Sequence, residues 1–383
     1  MGFTANPEVS LAGTAPGPAI TGLVNGDYVV AWTVYGPQFT SSINLSIFNA
    51  SGVAQTGDIV ANAPTETASG QVSVATLIDG SFVVVWGEGR GKLFDGVPSR
   101  IELQRFDAIG NKIGGEATLN AVTTSDQLSP KVIALSTGGY VVSWQDHPGT
   151  TPATDRIVAQ IYNESGDLSG SEITFSAFPG SVPDYALTGL SDGTFLAIWD
   201  DYDSRAGTTI TPNVLAQVFN GTGVAQGSPT YLNDPDSDAA VPSISDLGGG
   251  RFAVAWIKSG TSGVSQSIGT RLFSYALNPL SSEVVANTDT LQPAYTPEVK
   301  RLGPGEYIVL WTLSSSIRGQ LFTKDGARAG GEFVITGSAA NDANPGGTVI
   351  AAGYNGGFAV AWSNTISGLD PAGLNIVTYT VSP

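Results

Sequence analysis

The side chains best suited to chemistry in this chain of 383 residues are carboxylates that follow tryptophans. Glu88, Asp146, Asp200, Asp201 and Asp203 each stand within four residues after a Trp, and Asp234, Asp236 and Asp238 alternate a little further on. Grouped carboxylates suit a hard cation such as calcium, which takes six to eight oxygen ligands. The Asp234-x-Asp236-x-Asp238 run has the spacing of calcium loops but lacks their following Gly and distal Glu. Asp at turns also holds backbone amides and keeps a chain soluble, so both readings stand. Carboxylates on neighbouring units, such as Glu88, Asp146 and Asp200, are also the groups that glycoside cleavage uses. Nucleophilic catalysis is poorly supplied. His147 is the only histidine, no Gly-x-Ser-x-Gly elbow frames a serine, and a three-histidine zinc site is excluded by count. Rings in loops, namely Tyr35, Phe39, Phe94, Tyr202 and Tyr295, together with His147, are the candidate ligand contacts.

The elements that position these groups follow from one period. The seven tryptophans, Trp32, Trp86, Trp144, Trp199, Trp256, Trp311 and Trp362, are spaced 54, 58, 55, 57, 55 and 51 residues apart. Seven units of that length fill the chain, so residues 1–383 read as a single domain. In every unit a Phe or Tyr stands four residues before Trp, and the residues between are apolar, as in Tyr140-Val141-Val142-Ser143-Trp144. Successive side chains of a strand point to opposite faces, so a strand apolar on both faces is covered on both sides. Such regular placement reports packing, and the tryptophans are assigned to the core rather than to a sugar platform.

A run often opened by Pro (Pro18, Pro130, Pro183, Pro242, Pro297, Pro345) precedes the Trp strand, joined to it by Asn-Gly or Asp-Gly turns at several units. After Trp comes a variable connection, then an alternating strand such as 157–162 or 317–322, a second Gly turn, and a fourth strand such as 172–175 or 332–335. Four antiparallel strands, a to d, repeated seven times predict an all-β, seven-bladed β-propeller. The last unit stops after its third strand, near 375–381, and residues 3–11 have no other place. They are expected to supply strand d of the last blade and close the ring, which hides two strand edges. The a–b and c–d links are tight. The b–c and d–a links run longer, with b–c lengths from about six residues after Trp311 to about fifteen after Trp86. The b–c/d–a end is therefore expected to carry function.

Composition bounds the setting. Charged residues are 13%, too few for the wet faces of a helical bundle, and Gly, at 49 residues, has no collagen period. A net charge of −17 argues against nucleic acid and anionic membranes, whose phosphates call for Lys and Arg. There is no Cys and no run of 18 apolar residues, so no membrane insertion is expected. The N-terminus lacks the basic and apolar regions of a Sec signal peptide.

Residues 101–144, with Gln104-Arg105-Phe106-Asp107-Ala108, Gly110-Asn111, Gly114-Gly115-Glu116, Asn120 and Gly138-Gly139-Tyr140-Val141-Val142-Ser143-Trp144, resemble the repeats of large bacterial haemolysin-type (RTX) calcium-binding proteins exported by type I secretion. The likeness recurs in all seven units. It implies an extracellular role, as a monomer or as one part of a larger chain. The Gly–Asp nonapeptides that bind calcium in that family are absent, so those sites do not carry over; any calcium here would lie in the loop carboxylates. Seven nearly equal units favour binding over catalysis, which needs one distinctive convergent site. The leading expectation is a non-enzymatic binding or adhesion module for carbohydrate or a cell-surface partner. The alternatives are a polysaccharide hydrolase or lyase using loop carboxylates, and a structural spacer.

Overall fold

In the computed structural model, the residues described are 2–11, 17–36, 40–63, 68–89, 98–119, 125–147, 155–178, 184–201, 212–234, 238–259, 266–288, 293–313, 316–335, 345–353, 356–364 and 373–382. Their regular structure is entirely β-strand, arranged as seven antiparallel sheets, each with strand order a-b-c-d. These are the blades of a seven-bladed β-propeller. The chain divides into two compact units, Met1–Val182 with Val349–Pro383, and Pro183–Thr348. Blades 1, 2 and 3 and all of blade 7 but the start of its strand a belong to the first, and blades 4, 5 and 6 to the second.

The tryptophan period is a packing period. All seven Trp side chains are at most 2% exposed. In the first unit Val29, Ala31, Phe82, Val84 and Trp86 share one core between blades 1 and 2, and Val83, Val85, Tyr140, Val142 and Trp144 share the next. In the second, Val254 and Trp256 pack on Leu196 and Ile198, and Val309 and Trp311 on Ala253 and Ala255. Strand b thus gives alternate residues to the cores on its two sides, as its doubly apolar sequence requires. The aromatic four residues before Trp stacks on the last aromatic of strand c, for example Phe82 on Phe106 at 5.2 Å and Tyr307 on Phe322 at 4.9 Å.

Two further sequence signals have local mechanisms. A Gln in strand c stands ten residues before a left-handed Gly in strand d in four blades: Gln104 and Gly114, Gln160 and Gly170, Gln217 and Gly227, Gln320 and Gly330. The c–d register slips at that point, between Ile113 and Ala117 in blade 2. The Gln104 amide donates to the Arg105 and Ile113 carbonyls, so the side chain ties down backbone that the bulge leaves unpaired. Two residues beyond strand d an Asn (Asn62, Asn233, Asn287) accepts the N–H of the second or third residue of strand c: Ile43, Val214 and Ile268.

The prolines differ from expectation. Pro130, Pro242 and Pro297 do not open strand a but sit inside it, in Asp126–Ala134, Ala240–Gly248 and Tyr295–Arg301. The residue before each takes positive φ: Ser129 at 53°, Val241 at 52° and Thr296 at 44°. A β-bulge there absorbs the missing proline N–H, and for β-branched Val241 and Thr296 it is strained backbone. Strand d also begins earlier than the sequence predicts, at Leu168 in blade 3 and Arg328 in blade 6, because pairing starts directly after the Gly turn.

The closure of the last blade is as expected. Gly2–Ala5 and Val9–Leu11 both pair antiparallel with Leu374–Ser382, Phe3 opposite Val381 and Val9 opposite Ile376. Between them Asn6 donates its side-chain amide to Thr378 Oγ1 at 2.9 Å and to the Ala50 carbonyl at 3.1 Å. These bonds fasten the break in the strand to both blade 7 and blade 1.

Candidate functional site

Each sheet has a tight-turn end, formed by the a–b and c–d links, and a long-connection end, where strand b leaves and strands a and c begin. Of the residues singled out from the sequence, Phe39, Phe94, Tyr202, Asp203 and Asp236 lie outside the described residues. The others fall at or beside the long-connection end, but in different environments.

In blade 2, Glu88 ends strand b directly opposite Arg100, the first residue of strand c. Glu88, Glu102 and Glu116 come from strands b, c and d, with carboxylate oxygens all within 4.8 Å of one another. The Arg100 guanidinium lies among them, 2.9 Å from Glu88 Oε1 and 2.8 Å from Glu102 Oε1. Thr118 donates to Glu102, and the Ala63 N–H donates to Glu116. Such an oxygen set has the chemistry of a cation site, and the cation the chain supplies is its own arginine.

Blade 3 repeats the device. Asp146, 3% exposed, stands opposite Arg156 across the b–c pair. It accepts from Arg156 Nε at 2.7 Å, Ser125 Oγ at 2.6 Å and Gln127 Nε2 at 2.6 Å. Arg156 also reaches toward Glu172 of strand d, whose carboxyl burial pushes up while the arginine pulls it back. The next residue, His147, places Nδ1 3.1 Å from the buried Asp155 carboxylate.

Blade 4 is different. Asp200, 1% exposed, ends strand b one residue after Trp199. The next cross-strand position beyond the Tyr185–Trp199 pair sets it opposite Asp184, an exposed residue whose carbonyl accepts the Asp200 N–H at 3.0 Å. Asp200 Oδ2 accepts the N–H of strained Val241 at 3.3 Å, and buried Oδ1 has no partner among the described residues. Burial first, and the charge of Asp184 second, push the Asp200 carboxyl up to about 7. Asp201 is half-buried opposite Asn213, where blades 2 and 3 carry arginine. Asp234 pairs with Arg271 at 2.9 Å on the surface, and Asp238 is half-buried.

Exposed aliphatic side chains occur at both ends, with Val60, Val285 and Val334 toward the long connections. Val24, Val53, Ile78, Ile109, Val224 and Leu280 lie at or next to tight turns. Among the described residues the exposed aromatics are two tyrosines, Tyr35 at 47% and Tyr295 at 41%. Both stand at the long-connection end, Tyr35 finishing strand b of blade 1 and Tyr295 starting strand a of blade 6.

No protein-family model matches the sequence, and no curated protein does. Solved structures do. An α-L-arabinanase from Penicillium chrysogenum, complexed with arabinobiose, aligns over 83% of this chain and 94% of its own at 13% identity, with a TM-score of 0.53. A protein of unknown function from Dyadobacter fermentans aligns over 100% of both chains at 10% identity and a TM-score of 0.51. An α-L-arabinofuranosidase from Fusarium graminearum, in complex with an iminosugar inhibitor, covers 81% of this chain and 92% of its own at 12% identity and 0.51. The likeness is one of fold.

Sequence reasoning missed Arg100, Arg156, Glu102, Glu116, Gln127 and Asp184. The two arginines carried a readable signal, since each stands near the start of a strand c; the length of the b–c connection hides which b residue it opposes. Asp184 carried none, because it follows a d–a connection of no fixed pattern.

Proposed function

We propose that this protein is a secreted, carbohydrate-directed propeller that binds a glycan at its long-connection end and hydrolyses glycosidic bonds there. The observation that carries the reading is that the exposed aromatics among the described residues, Tyr35 and Tyr295, both stand at long connections. A tyrosine ring offers an apolar face for a sugar ring and a hydroxyl for hydrogen bonding. Likeness of fold to an arabinanase and an arabinofuranosidase supports carbohydrate as the ligand class and cleavage as the activity, as an analogy of architecture. Carboxylates, which glycoside cleavage requires, are plentiful at the same end. Export by a type I route, implied by the resemblance of the repeats, and an extracellular site of action agree with the acidic, cysteine-free composition.

A second reading, binding without cleavage, draws on a specific observation: Glu88 and Asp146 are each tied to an arginine of their own blade. Two measurements separate the readings. Binding to an immobilised glycan panel, arabinans included, is expected to weaken at least tenfold in Tyr35→Ala or Tyr295→Ala. New reducing ends released from the bound polysaccharide mark hydrolysis. Binding without release leaves the adhesion reading, and no binding to any glycan overturns both.

A further inference from the structure

Tyr295 stands on backbone that is fixed from both sides. Before it, Ala294 is buried in the core between blades 5 and 6 and gives its N–H to the Gln266 carbonyl of blade 5 at 3.3 Å. After it, Thr296 takes a φ of 44° ahead of buried Pro297, and the a–b register slips between Tyr295 and Glu298. Positive φ is an outlier for a β-branched residue, and a bulge is one way a sheet re-aims a side chain. Two hydroxyls brace this bulge. Thr312, 4% exposed, stands opposite Tyr295 on strand b and donates its hydroxyl to the Tyr295 carbonyl at 3.2 Å. A hydroxyl has one proton to give, so in the 2.9 Å contact between the two threonines Thr296 is the donor. The bonds run from Thr296 through Thr312 to the main chain of Tyr295.

Blade 5 builds the same bulge without those bonds. Ala239 is buried and gives its N–H to the Pro212 carbonyl at 2.8 Å, and Val241 takes a φ of 52° before Pro242. Val241 and Ile257 stand there in place of the two threonines, and half-buried Ala240 in place of Tyr295. The bulge and its proline therefore do not need the hydroxyls, which accompany the exposed ring. We propose that Thr296 and Thr312 are positioning residues for a sugar-stacking platform, fixing the backbone that aims the Tyr295 ring at the long-connection end. This rests on the carbohydrate reading and deepens it: the ligand is a saccharide whose ring face lies against Tyr295. A ring on fixed backbone has less freedom to lose when a ligand settles on it.

Fluorine NMR of the intact chain carrying fluorotyrosine, with the Tyr295 signal assigned by its loss in Tyr295→Phe, tests the positioning without any ligand. Thr312→Val keeps the shape of the buried side chain and is expected to move that signal toward the position of free fluorotyrosine. Thr312→Ser should restore it. Thr296→Val, a change at an exposed position, should act as Thr312→Val does and serves if the latter fails to fold. On the glycan that the parent chain binds best in the immobilised panel, either valine variant should weaken binding by about threefold or more. An unmoved Tyr295 signal in both valine variants would overturn the proposal and leave the carbohydrate reading intact. So would full-strength binding in Thr312→Val where Tyr295→Ala loses it. A parent chain that binds no glycan would overturn the carbohydrate reading itself, and this proposal with it.

Discussion

Blades 3 and 4 each bury an aspartate just beyond the tryptophan, on opposite faces of strand b, and treat it in opposite ways. Asp146 accepts from donors on two sides, Ser125 and Gln127 at strand a and Arg156 on strand c. Asp200 is equally buried, has one backbone donor and faces another carboxylate. Taking a charge out of water is costly unless hydrogen bonds and an opposite charge replace the water. The difference lies in strand c. Blade 3 places Arg156 opposite Asp146, and blade 4 places apolar Val214 opposite Asp200. Asp146 stands two residues after its tryptophan and Asp200 one, so they face opposite sides of strand b and meet different cross-strand partners.

Three substitutions break or sharpen that contrast. Asp200→Asn should stabilise the protein, by an amount that grows as pH rises. The carboxyl sits near 7 in the folded chain against an ordinary value of 3.8, so the folded state holds its proton where the unfolded state has lost it. Stability of the parent chain therefore falls as pH rises from about 4 to about 7, by up to about 4 kcal/mol. Denaturant melts across that range should show the fall in the parent and lose it in Asp200→Asn. Removing the arginine from blade 3 acts in the opposite direction. Arg156→Ala leaves Asp146 buried with Ser125 and Gln127 alone, and should cost about 3 kcal/mol in the same assay, reduced when Asp146→Asn is added. The smallest effect belongs to the exposed pair. Arg271→Ala, facing the 59% exposed Asp234 side chain, should cost less than about 1 kcal/mol, and more would mean that pairing rather than burial sets the scale.

Much of the architecture was legible because its causes are local and repeated. A Trp that fills the gap between sheets must recur with each sheet, and Gly turns need positive φ wherever they occur. Closure by residues 3–11 was legible by elimination, once the seventh unit was seen to lack a strand. Pro130, Pro242 and Pro297 misled about where strand a begins, since a bulge can hold a proline inside a strand as comfortably as a strand end can. The site was less legible. Which strand c residue faces Glu88 or Asp146 depends on register, and the b–c connections that set it vary in length. Tyr35 and Tyr295 could be named as candidates from sequence, but their exposure follows from how far each strand extends past the core. Asp200 was singled out, though neither its burial nor Asp184 across from it could be read from an isolated Asp-Asp pair.

The seam of the last blade has a mechanical consequence. Gly2 and Ser382 face each other as the outermost pair of their ladder, with Phe3–Val381, Thr4–Thr380 and Ala5–Tyr379 following inward. A stretching force applied at those two residues loads the ladder at one end. The pairs would open one after another, like a zip, instead of sharing the load as strands pulled lengthwise past each other do. Peeling would first meet side-chain resistance at Phe3, whose ring packs edge-on against Phe358, and then at Asn6, bonded to both Thr378 and Ala50. Residues 2 and 382 are thus a low-force release point, and single-molecule pulling from them should open this sheet ahead of the six whose strands are contiguous in sequence.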